Sequence, residues 1–85
     1  NCKNMKIWIV TLDWAEDCDS NVVAKPFRNE TDARELFNHL ADDYRAFAKS
    51  GGWLVEDDTP SYFGAFEDGY ACQNHTYITL KGYEI

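Results

Sequence analysis

Eighty-five residues, 45% of them hydrophobic and 15% aromatic, supply enough apolar side chain for one core, too little chain for two, and exclude global disorder. Fifteen carboxylates against eight Lys and Arg leave a net charge of -7. That balance excludes direct contact with nucleic acid or an anionic membrane, because both require cationic surface.

No apolar run approaches the roughly 18 residues that a membrane span needs, and no apolar signal segment follows Lys3. Met5, the single methionine, stands directly before the first apolar run. Residues 1–85 therefore read as one compact domain in which residues 1–4 form a flexible extension. Cys18 and Cys72 have a spacing that matches no small secreted scaffold, so reduced thiols and a cytoplasmic setting are expected.

In chain order, Met5 to Trp14 reads as a strand, because Ile7, Trp8, Ile9, Val10 and Leu12 make a β-branched and aromatic run too short for a helix. Alternation sends Trp8, Val10, Leu12 and Trp14 to one face and Met5, Ile7 and Ile9 to the other, so this strand should be central. Asp13 to Asn21 reads as an acidic loop or long hairpin connection. A short second strand follows at Val22 to Phe27, and Pro26 places it at an edge.

Ala33, Leu36, Phe37, Leu40, Tyr44, Phe47 and Ala48 recur at helical spacing, which predicts an amphipathic helix from Glu30 to Lys49. Asn29 or Thr31 can cap its start and Gly51 can stop it. Arg34, Arg45 and Lys49 gather on one flank, and Asp32, Glu35, His39, Asp42 and Asp43 on the other. Trp53 to Val55 opens a third strand, Glu56-Asp57-Asp58-Thr59-Pro60 reads as turn chemistry, and Tyr62 to Phe66 forms a fourth. Asp68-Gly69 is a tight-turn dipeptide. Thr76 to Ile85 is the last strand, with Gly82 marking a bulge. The expected fold is α+β: a single amphipathic helix packed on one face of a small, four- to five-stranded, mainly antiparallel sheet, in the order β-β-α-β-β-β.

Chemistry-bearing motifs are weak. Asp17-x-Asp19-x-Asn21 copies the first three ligand positions of a helix-loop-helix calcium site, but Val22 stands where Gly is needed and Arg28 where the closing Glu belongs. An irregular cation site drawn from Asp13, Asp17, Asp19 and Glu67 or Asp68 competes with a solvated acidic loop, the preferred reading. Cys72 and His75 are zinc-type ligands, yet they lack a second pair. His39 lies within helical reach of Glu35 and Asp43, an arrangement more common on exposed helix flanks than in catalytic centres. No residue is assigned a catalytic role, no cofactor is expected, and an enzyme is the disfavoured class.

The aromatic surplus carries the functional reading. One helix covers one face of a sheet, so rings on the other face need a partner. Trp8, Trp14, Trp53, Tyr62, Phe66 and Tyr77 are the candidate contact residues, since Trp and Tyr are typical interface anchors. The expected function is a non-enzymatic protein-interaction module, self-associating as a homodimer through an aromatic sheet face. The rival reading, prompted by the charge, is an acidic decoy that occupies the cationic groove of a nucleic-acid-binding protein. The third is a small metal- or thiol-dependent enzyme.

Overall fold

The computed structural model of the chain describes residues 5–16, 19–67 and 74–84. Its elements are β1 (Lys6–Glu16), β2 (Asp19–Phe27), α1 (Glu30–Gly51), β3 (Leu54–Thr59), β4 (Tyr62–Glu67) and β5 (Asn74–Glu84). The strands form one sheet, ordered β2-β1-β5-β4-β3 in space and antiparallel at every pairing. The helix crosses one face of it, as the α+β reading expects. Residues 1–4, for which a flexible extension is expected, Asp17, Cys18, the dipeptide Asp68-Gly69 expected to turn, Tyr70 and Cys72 lie outside the described residues.

β1 is flanked on both sides, by β2 and β5, which suits a strand apolar on both faces. Pro26 falls on edge strand β2, where only one neighbour draws on the ladder. Asn29 caps α1 by accepting the Thr31 N–H at 2.7 Å. Alanine at position 29 is expected to lower stability by about 1 kcal/mol, read as a shift of the urea midpoint at unchanged slope. The helix ends at Gly52 rather than Gly51: Gly52 has φ 75, a left-handed conformation that a side chain disfavours. No helix among the described residues is long and apolar enough to cross a membrane.

The core lies between helix and sheet. Ala33, Phe37, Ala41 and Ala48 come down from α1 onto Val10, Phe63, Ala65, Ile78 and Leu80. The small residues let the helix approach closely and the two phenylalanines fill the space between. The basic flank of the helix docks on β3. Arg45 donates to both carboxylate oxygens of Asp58, at 2.7 and 2.8 Å, and Arg34 donates to the Pro60 carbonyl. The Arg45 hydrogen bonds hold the Asp58 carboxyl below its ordinary range.

Three local expectations give way. The acidic loop shrinks, because β1 runs on to Glu16 and β2 begins at Asp19, so Asp13 sits within a paired strand opposite Val22 and Tyr77. Glu56 to Asp58 is strand rather than turn. An edge strand tolerates charge on its free side, and Arg45 claims Asp58. The bulge falls at Glu56, between Val55 and Asp57, whereas Gly82 pairs in register with Trp8. At Gly82 the absent side chain makes room for the Trp8 ring, since a Cβ there would lie 2.7 Å from it.

Candidate partner-binding face

Burial along β5 alternates strictly. Asn74, Thr76, Ile78 and Leu80 are buried, while His75, Tyr77 and Thr79 are half-buried. By register, the buried set shares its face with Trp8, Val10, Leu12, Trp14, Phe63 and Ala65, beneath the helix. The other face carries Ile7, Ile9, Thr11 and Asp13 from β1; His75, Tyr77, Thr79 and Tyr83 from β5; Tyr62, Gly64 and Phe66 from β4; and Leu54, Asp57 and Thr59 from β3. Gly64 is buried; the other residues of this set are not, and Leu54 and Tyr83 are 51% and 43% exposed.

The six candidate contact residues divide between the two faces. Trp8, Trp14 and Trp53 lie on the helix side. Trp8 and Trp53 pack against the core, Trp53 also meets Phe47 edge to face at 5.2 Å, and Trp14 lines a small space shared with Tyr44 and Thr76. Tyr62, Phe66 and Tyr77 lie on the open face.

At the centre of that face, one row crosses four strands from Asp13 through Tyr77 and Gly64 to Asp57. Gly64 decides how the row is built. A Cβ there would lie 2.8 Å from the Tyr77 ring and 3.2 Å from the Tyr62 hydroxyl, so the bare backbone lets Tyr77 lie across β4. Its phenol then comes under the influence of the carboxylate of Glu56, the residue that the bulge adds to β3. The Tyr62 and Tyr77 rings are stacked at 6.3 Å with 7° between their planes. His75 lies against the other side of Tyr77 at 4.9 Å, and its Nε2 stands 3.3 Å from Asp13 Oδ1.

Two tyrosine rings are thus bracketed by Asp13 on one side and by Glu56 and Asp57 on the other. Both phenols are pushed above their ordinary pKa of 10.0. Burial is the first cause for each. For Tyr62, the neighbouring Tyr77 and the charges of Glu56, Asp57 and Asp13 add to it; for Tyr77, Glu56 and then Asp13 do. Tyr44, packed near the helix end, is raised as well by burial, Glu16 and Asp43. The folded protein therefore holds these protons to higher pH than the unfolded chain, and the stability they contribute is present below pH 10 and lost as pH climbs through the folded values. Urea midpoints of the wild type should fall from pH 9 to pH 11 more steeply than those of a Tyr62→Phe, Tyr77→Phe double variant. Equal slopes would show that the carboxylates do not act on these phenols.

Of the candidate metal ligands, Asp13 and His75 come together, Asp19 turns onto the Ser20 N–H at 3.1 Å, and Asp17 and Cys72 lie outside the described residues. Among the described residues, no group of three or more His, Cys, Asp and Glu side chains is placed to hold a metal ion. His39 meets Asp43 at 3.4 Å with both side chains largely exposed, a surface pair. Gly64, Glu56 and the Asp13–His75 contact were not singled out from the sequence. A glycine inside a strand flanked by aromatics was the available signal, since it marks close approach of another group.

In comparisons with known proteins, no family model matches the chain, and neither a curated protein nor a solved structure matches it.

Proposed function

We propose that the chain is a non-enzymatic protein-interaction module whose binding surface is the helix-free face of its sheet. One-sided burial carries this reading: the buried side chains of β4 and β5 all point toward the helix, while Tyr62, Phe66, Tyr77, Ile7 and Ile9 keep part of their surface in water on the other side. Rings of this kind supply large contact area with few rotors to freeze, which is why they anchor interfaces. The reduced state expected of the cysteines makes a cytoplasmic setting part of the reading.

Charge discriminates among partners. A second copy stacked on this face brings Asp13, Glu56 and Asp57, offset by Lys81 opposite Ile9, against another net acidic face, in a chain already at -7. A basic protein meets no such repulsion. The acidic-decoy reading, in which the partner is a nucleic-acid-binding protein offering its cationic groove, draws on this same complementarity.

The test compares the wild type with a Tyr62→Ser, Phe66→Ser variant and with a control altered on the helix surface, His39→Ser. A partner captured by the wild type and the control should be lost by the face variant, and equal retention by all three overturns the reading. Sedimentation equilibrium sorts the partner. The mass of one chain at micromolar concentration points to a different protein, and a doubled mass abolished in the face variant points to a second copy.

A further inference from the structure

The chemistry of the open face also selects among basic side chains. Tyr62 and Tyr77 present nearly parallel rings, 7° apart, and the Tyr77 ring lies over the bare backbone of Gly64. Asp57 is the neighbour of Gly64 across the ladder to β3, and the Glu56 carboxylate already acts on the Tyr77 phenol. The backbone that carries Asp57 thus lies about one strand spacing, roughly 5 Å, from the glycine over which the Tyr77 ring lies. Asp13, two strands away from Gly64 across β5, adds to the negative field without reaching the same point.

Resting on the reading of this face as a docking surface, we infer that its occupant is a basic protein segment that lays an arginine side chain over the Tyr62–Tyr77 pair, with Glu56 and Asp57 as the acceptors of the guanidinium. An arginine head is flat, weakly hydrated and stacks on rings while its edge donates to carboxylates. A lysine ammonium is a compact, strongly hydrated point charge that gains less from parallel rings. Glu56 spends one interaction on the Tyr77 phenol and keeps further lone pairs for a second donor. On the opposite surface the helix carries its own acidic flank, Asp32, Glu35, Asp42 and Asp43, but Arg45 occupies Asp42, and the Tyr44–Phe47 pair beside Asp43 meets edge to face, 82° between the planes, rather than as parallel rings. Carboxylates and an aromatic pair are common to both surfaces, and among the described residues the parallel arrangement of the rings distinguishes the sheet.

The probes are an oligoarginine peptide and an oligolysine peptide of equal length, titrated into the intact protein with amide resonances as the readout. Oligoarginine should perturb residues 56–57, 62–64 and 77 first and bind about threefold or more tighter than oligolysine. Glu56→Gln and Asp57→Asn should each weaken it by about threefold to fivefold, and raising salt from ~50 to ~300 mM should weaken it further. Tyr77→Leu, whose fold is checked by its amide spectrum, should remove the preference over oligolysine. Equal affinity for the two peptides, perturbations centred on residues 32–43, or indifference to Glu56→Gln and Asp57→Asn overturns the inference. If that happens while the Tyr62→Ser, Phe66→Ser variant still loses the natural partner, the face is a docking surface for a different chemistry. If the natural partner is retained as well, both readings fall.

Discussion

Replacing Phe63 with alanine is expected to cost about 3 to 5 kcal/mol, most of the stability that a domain of this size possesses. Phe63 is completely buried near the start of β4, opposite Ile78 and Asp58. The Arg45 guanidinium lies 5.6 Å from its ring centre. Truncation would open a ring-sized void between two rigid layers and leave the Arg45–Asp58 pair without the surface it rests on. The neighbouring elements cannot collapse into the void, because β4 is held by ladders on both sides. Urea unfolding followed by circular dichroism should show an early midpoint or no cooperative transition at 25 °C. Phe47→Ala provides the comparison: that ring is 42% exposed and its loss should cost far less. Similar costs at the two positions would mean that the core does not centre on Phe63.

Adding one methyl group at Gly82 is the second large effect. The new carbon would sit 2.7 to 3.0 Å from three atoms of the Trp8 ring, closer than van der Waals contact allows. Trp8 is half-buried and packed against the core on the helix side, so moving its ring gives up contacts, and Gly82→Ala should cost about 1 to 3 kcal/mol. Trp8→Leu made in the same chain should recover part of that loss, which a double-mutant cycle measures as a favourable coupling. Additive effects would show that the ring does not occupy the space above Gly82. Gly64→Ala meets a similar clash with Tyr77, but that ring faces water and can swing outward. The cost in stability should be smaller and the loss should fall on binding at the open face.

These contrasts show what the sequence reveals and what it conceals. The helix was legible because Ala33, Phe37, Ala41 and Ala48 must all meet one sheet, and that constraint leaves a period in the chain. β1 was legible from its double apolar alternation. The edge strands were harder to see: β2 and β3 expose nearly every residue, so no burial pattern marks them, and Glu56, Asp57 and Asp58 look like a turn. The three tryptophans were grouped with the contact residues because side-chain type alone does not state which face the helix will choose. Tyr62, Phe66 and Tyr77 fall on the open side by the same alternation that buries Phe63 and Ala65. The uses of Gly64 and Gly82 follow from register, which pairs residues far apart in the chain and leaves no local trace.

The order β2-β1-β5-β4-β3 has a consequence for how the molecule assembles. Two hairpins, β1 with β2 and β3 with β4, do not pair with each other; within the sheet each is joined to the other only through β5, and both also pack under the helix. The segment from Asn74 to Glu84 is therefore a keystone, and no arch of strands stands before it is seated. β5 meets β4 locally, at Glu67 and Asn74, but joining it to β1 demands the most distant pairing in the fold, Lys6 with Glu84, and closes the longest loop of the chain. Refolding should be slow for so short a chain and should lack a stable half-built species.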